Sequence, residues 1–526
     1  MKLKNTLLKS ILLVVVITMF MFIPNTVQVK AATKPTLNSS SEYITIGKTY
    51  NLKVNNKIKG SKYTWTSSNK KVVTVNKAGV VKGISGGEAK ITCKITANKK
   101  TYTLSCYFNV IDKNTIYTIT ETTKPSASIQ KKGHYNSNTK DWYLFNEILG
   151  LCEKGGGGKI IIEKGTYSIT NKVSIPSNVT ILLKDGAVIK KSSETGTTSL
   201  KATKTMFQLV EPSKASKTGV YTQYNGVHDV SIIGEGTATI DLDYMDGACG
   251  FVMGHNQNVS FDNISFINMN TGHFIELDAS KDVTIQNCRF LGSKKSPKTN
   301  KEAINIDTPD KLTGGFSHEW SSLDKTPVKN ISITDCIFEE IDVAIGTHKY
   351  SQIQDEKGDY SITMFHEDIQ VKKCQFINLR AAGLQMIAWK NVTVEDCVFE
   401  GGGYILVNPT TGQEIPAGAR AFSGQAVINF TFKNNIIKDM FTVGGAYSST
   451  GTGLGTASNI YTSITSYITV DNIKDFYTNK CSNVEMPIIF LNYNTFEVSD
   501  ENKEQITIKR PGEPDKYQLN ATIPSV

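Results

Sequence analysis

The sequence predicts an all-β protein: a right-handed parallel β-helix with an N-terminal helical cap, preceded by a small β-sandwich. Three observations carry this. An apolar rung of alternating residues recurs without intervening helices, as NVSFDNISFIN, DVTIQNCRF, NISITDCIF, DIQVKKCQF and NVTVEDCVF. Setting Val283, Ile331, Ile369 and Val392 in one register aligns Cys288, Cys336, Cys374 and Cys397 five residues on, and Phe290, Phe338, Phe376 and Phe399 two later. A second short element aligns as well: Ile275-Glu276-Leu277-Asp278, Ile304-Asn305-Ile306-Asp307 and Ile345-Gly346-Thr347-His348. Strands and turns that repeat every 20–30 residues or so form a solenoid, because one rung cannot bury its apolar face alone and stacked rungs can. Longer spacings mark loops between rungs.

Taken in order, the chain opens with Lys2, Lys4 and Lys9, an apolar run from Leu7 to Pro24, and the small-residue site Val29-Lys30-Ala31. Residues 1–31 therefore read as a secretory signal, with a retained anchor as the rival. No later segment has the length and apolarity of a membrane span. Residues 32–112 alternate as short strands between turn residues, the pattern of a small β-sandwich. They hold fourteen lysines against Glu42, Glu88 and Asp112, whereas the chain as a whole carries +10 and its larger part is mildly acidic. A lysine-rich solvated face is one reading of this module. Adhesion to an anionic cell-wall polymer is the other.

Residues 113–135 are polar and read as a linker. Leu144, Ile148, Leu151 and Cys152 then recur at helical spacing, with Asn138 as the expected N-cap and Gly155 as the stop. Gly155 to Gly158 lack the Lys-Ser/Thr pair of a phosphate loop, which argues against nucleotide binding. The β-helix is expected over 136–500, with 501–526 as a tail. Among nine cysteines, four sit at a core position of the rung, Cys93 and Cys106 lie on neighbouring strands where they could pair, and no C-x-x-C spacing suggests zinc.

The second element concentrates the candidate chemistry. If its Ile and Leu face the core, Asp278, Asp307 and His348 form one exposed column on successive coils, about 4.8 Å apart. Neighbouring carboxyls at that spacing raise each other's pKa, so one holds a proton and can act as an acid while another acts as a base. Glu302 and His273 fall two residues before the inward isoleucines, and Glu276 and Asn305 at the alternate place. Insertions containing His318-Glu319-Trp320 and ending at His366 would wall a groove. Trp320 could stack on a sugar or pin its own loop. The candidate catalytic residues are thus Glu302, Asp307 and Asp278. The candidate substrate contacts are His348, Glu276, His273, Asn305, Trp320 and His366.

Two resemblances extend this reading. WTSSNKKVVTVNKAGVVKGISGGEAKITCKI resembles the bacterial immunoglobulin-like group 2 domain, which implies a spacer or adhesion module. The capping helix, the glycine turn and Lys-Gly-Thr-Tyr resemble the opening of pectate-lyase-like β-helices. NVSFDNISFIN…HFIELDASKDVTIQNCRF is similar to the rungs of polygalacturonases and related family 28-type glycoside hydrolases. Their Asn-Thr-Asp, Asp-Asp, Gly-His-Gly and Arg-Ile-Lys signatures are absent, and the places of the key aspartates hold His273, Glu302 and Val343. Glu302 alone carries over, with acid–base work as its implied role. The expectation is a secreted glycoside hydrolase on a polysaccharide, with no cofactor, no nucleic-acid partner and no membrane span in the mature chain. A lyase or epimerase, which would use a cationic side chain or Ca²⁺ to neutralise the sugar carboxylate, and a non-catalytic surface adhesin are the alternatives.

Overall fold

The computed structural model describes residues 34–295, 301–358, 360–407, 414–417, 419–440, 442–446, 480–482, 486–491 and 507–509. The expected signal segment lies outside them. The chain divides into two compact units.

In the smaller unit, Ser41–Thr45, Lys100–Ile111, Gly87–Ala97 and Lys62–Ser67 form one sheet, and Thr49–Asn51, Val80–Gly83 and Val73–Val75 another. Alternation sorts the residues of Gly87–Ala97: Ala89, Ile91, Cys93, Ile95 and Ala97 are buried, while Lys90, Lys94 and Thr96 are exposed. Cys93 and Cys106 do not pair; each is a free thiol whose pKa burial pushes up to about 11. Gly79 is required where it stands, since its φ is +83° and a Cβ would lie 2.6 Å from the Leu52 carbonyl oxygen.

In the larger unit the described strands of the repeat stack into three parallel ladders. One ladder holds the repeated rung, with Val259 opposite Val283, Val283 opposite Ile331, Ile331 opposite Ile369 and Ile369 opposite Val392. A second holds the phenylalanines. Rings of Phe266, Phe290, Phe338, Phe376 and Phe399 stack in sequence at 4.9, 4.7, 5.2 and 4.5 Å, within 6° of parallel. The third holds the Ile275, Ile304 and Ile345 element, in the register expected. The aligned cysteines are buried, and the thiols of Cys336, Cys374 and Cys397 donate to carbonyls of Thr334, Lys372 and Glu395.

The Asn or Asp ahead of each rung explains the sharp turn into it. Asp229, Asn258, Asp282, Asn330, Asp368 and Asn391 all have φ between 53° and 60°, the left-handed region these side chains tolerate best. Their side chains bridge coils, with Asn330 donating to Asp282 at 2.7 Å and Asn391 to Asp368 at 2.9 Å.

The capping helix α1 spans Lys140–Gly155 and buries Leu144, Phe145, Ile148, Leu149 and Cys152 in the β-helix core. Its N-cap is Thr139 rather than Asn138, because the Asn138 side chain donates instead to the Glu194 carbonyl; the left-handed residue that ends it is Gly156. The segment expected as a linker includes the first strand. Ile116–Ile119 pairs in parallel with Gly158–Ile162, and Ile119 is fully buried. At the other end, Thr507–Lys509 pairs with Met486–Leu491, so a strand lies within the expected tail.

Candidate functional site

The third ladder carries the candidate residues outward on consecutive coils. Ile275 pairs with Ile304 and Glu276 with Asn305; on the next coil Glu302 pairs with Val343 and Asn305 with Gly346. This register brings His273, Glu276, Glu302, Asn305, Asp307 and His348 onto one face. Glu302 is buried, and its Oε1 and the Oδ2 of Asp307 lack a hydrogen-bond partner. The Nδ1 of His348 lies 3.9 Å from Glu302 Oε1 and 3.4 Å from Asp307 Oδ2, and accepts from Asn305 Nδ2 at 2.8 Å. His273 Nδ1 donates to the Glu302 carbonyl at 2.9 Å, with its ring 6.0 Å from that of His348. The His348 side chain is 35% exposed, which makes it the most open member of this group.

The aspartate column is not exposed as expected. Asp278 and Asp307 are fully buried, and each carboxylate accepts amides of the following coil. Asp278 Oδ1 accepts from the Asp307 amide at 2.6 Å, and Asp307 Oδ1 from the His348 and Lys349 amides at 3.1 and 3.0 Å. The buried backbone at the strand ends needs these acceptors. Asp278 therefore props Asp307, and Asp307 in turn fixes the backbone that presents His348.

Burial separates the protonation states. Burial, then Asp307, pushes Glu302 up to about 8. Burial pushes Asp307 up to about 7 despite the amides that hold it down. Burial, with Glu276 and Asp307, raises Asp278 well above the carboxylate range. Glu276 moves the other way: burial opposes its ionisation, but the contact with the His318 ring, whose Nε2 is 3.9 Å from Oε2, outweighs it. Burial and Lys349 hold His348 down to about 4, and burial and His348 lower His273. At neutral pH the site thus offers a protonated Glu302, an ionised Glu276 and, in His273 and His348, uncharged imidazoles.

Two expected substrate contacts lie elsewhere. Trp320 is 1% exposed and packs with Val210, Tyr221, Val252 and Phe316, so it pins its loop and offers no sugar platform. It does support the site indirectly, since His318 stacks on it at 5.5 Å. His366 is fully buried, accepts the Val328 amide at 3.0 Å and is held down to about 3 by burial. His318 was not among the expected contacts, because an insertion folds it back over the face and no register marks it. Gly346 was also missed as a determinant: a Cβ there would lie 2.7 Å from Glu302 Cγ. No group of three or more potential ligands suited to a metal occurs among the described residues.

Comparison with known proteins adds the following. Residues 26–106 match the bacterial Ig-like domain (group 2) family. That module is a bacterial Ig-like domain. The chain is 24% identical over 291 residues to plasmin and fibronectin-binding protein A of Streptococcus pneumoniae, a match over 49% of this chain and 37% of that protein. The chain thus spans well under half the length of that relative. Among solved structures it is similar to PfbA, a surface adhesin of Streptococcus pneumoniae, at 18% identity and a TM-score of 0.45, covering 75% of this chain and 84% of that one. It is similar to the family 28 exopolygalacturonase of Yersinia enterocolitica at 10% identity and a TM-score of 0.34, covering 84% and 87%. No helix among the described residues is long and apolar enough to cross a membrane.

Proposed function

We propose that this chain is a secreted glycoside hydrolase acting on a polysaccharide laid along the third ladder. The observation that carries the proposal is Glu302: a buried carboxyl, neutral near pH 7, with one oxygen unpartnered and facing the most open histidine of its group. Such a group protonates a leaving glycosidic oxygen. Glu276, ionised on the preceding coil, supplies the opposing carboxylate that activates water or attacks the anomeric carbon. Asp307 raises the pKa of Glu302 by its charge and anchors His348. His273 and His348 are the uncharged hydrogen-bonding groups for sugar hydroxyls, and the buried Asn305 orients His348.

The test is incubation of the secreted protein with a polysaccharide panel, with and without a chelator, following reducing ends and ultraviolet absorbance. Release of reducing ends that disappears in Glu302→Gln supports the proposal. New unsaturation would replace hydrolysis by a lyase reaction. A second reading, a surface adhesin, is favoured by the match to a protein named for binding plasmin and fibronectin. In that reading the lysine-rich Ig-like domain holds an anionic cell-wall polymer, and binding of either partner is indifferent to Glu302→Gln.

A further inference from the structure

We infer that the site takes an uncharged glycan and rejects polyuronates, an inference that rests on the hydrolase reading. The argument is the placement of charge along the third ladder. Reading outward positions coil by coil among the described residues, Cys249 and Val252 precede the site, His273, Glu276, Glu302 and Asn305 form it, and Val343, Gly346, Ala382 and Gln385 follow. None of these is a cation. The first cation in the column of Glu302 is Arg420, three coils on and about 14 Å away at the spacing of stacked strands.

The nearer lysines are committed elsewhere. Lys301 is 5% exposed, donates to the Lys294 carbonyl and lies 3.4 Å from Asp342 Oδ2, a carboxylate that also holds Arg380. Lys349 follows His348 and its charge reaches that ring, but its ammonium is donated to the Thr313 carbonyl at 2.9 Å. A sugar carboxylate brought to Glu302 would instead meet the Glu276 carboxylate on the adjoining coil. Desolvating two like charges together is strongly unfavourable, whereas hydroxyls find uncharged partners in the His348 and His273 imidazoles. This charge arrangement sets the site apart from one built for a uronate, which needs a cation or a bound metal opposite the carboxylate.

The experiment uses the full chain carrying Glu302→Gln, which binds without turnover. Retention in affinity electrophoresis is measured on galactomannan, xyloglucan, polygalacturonate and alginate, each with and without Ca²⁺. His348→Trp, bulky at the most open position of the site, gives the blank for polymer held by the lysine-rich domain. The expected result is site-dependent retention by an uncharged polymer and retention about tenfold or more weaker by the acidic ones. Adding Glu276→Gln should raise acidic retention toward the uncharged level. Equal or tighter site-dependent retention by polygalacturonate or alginate, with or without Ca²⁺, overturns the inference, as does retention of no polymer or no gain from Glu276→Gln. Reducing-end release by the wild-type protein separates the two claims. Retention of an uncharged polymer with no release sinks the hydrolase reading and leaves the ligand class standing; release from polygalacturonate alone does the reverse.

Discussion

Glu302 sits where burial and a second acid keep it neutral, and its protonation links activity to stability. Below the ordinary carboxylate range, folded and unfolded chains both hold its proton. Above about 4.5 the unfolded chain ionises while the folded one does not until about 8, so the fold loses stability across that window. Chemical denaturation at pH 5 and pH 8 should show a smaller drop for Glu302→Gln than for the wild-type protein; equal drops would mean Glu302 ionises normally. Turnover of Glu302→Gln should fall about 10²–10⁴-fold, the range typical of a lost general acid. Asp307→Asn keeps an oxygen for the His348 and Lys349 amides but removes a neighbouring charge. Its alkaline limb in a pH–rate profile should therefore move to lower pH, with the fold retained; an unmoved limb would sever Asp307 from Glu302.

At the scale of the element, each coil places its polar groups by register, and register is also what the sequence could reveal. The alignment of Ile275, Ile304 and Ile345 was legible because apolar side chains must repeat where strands stack. The direction and burial of Asp278 and Asp307 were not, since an alternating pattern cannot tell a solvated carboxylate from one that caps the next coil's amides. The insertion carrying His318 and Trp320 was visible as a length, but its return over the face depends on tertiary packing against Val210 and Val252. Gly346 should be replaceable by Ala without backbone strain, yet the added methyl would displace Glu302. We expect turnover to drop about tenfold or more, with a loss of about 1–3 kcal/mol in stability from overpacking; full activity would show that Glu302 has room to shift. Phe338→Ala, which breaks the ring stack at its centre, should destabilise the β-helix by about 3–5 kcal/mol in denaturant titration.

At the scale of the whole molecule, two units with separate cores share one chain. Calorimetry should resolve two transitions, and Ile91→Ala, in the core of the Ig-like domain, should move only one of them; a common shift would mean the units unfold together. The fold class was predictable from periodicity, while the limits of the β-helix were not. A run as short as Ile116–Ile119 does not stand out from the polar residues around it until Gly158–Ile162 is set beside it.

The ladder has a further consequence for descent. Because Val259 stands opposite Val283 and Ile369 opposite Val392, the gene can gain or lose a whole coil as a segment of about two dozen codons, and the flanking coils would still find matching faces. Such a duplication beyond Ala382 would lengthen the track for a polymer and leave Glu302 and Glu276 as they are. The same event between Asp278 and Glu302 would insert a coil inside the carboxyl cluster. Lineages of this protein should therefore vary in length on either side of that interval and hold it at a single coil.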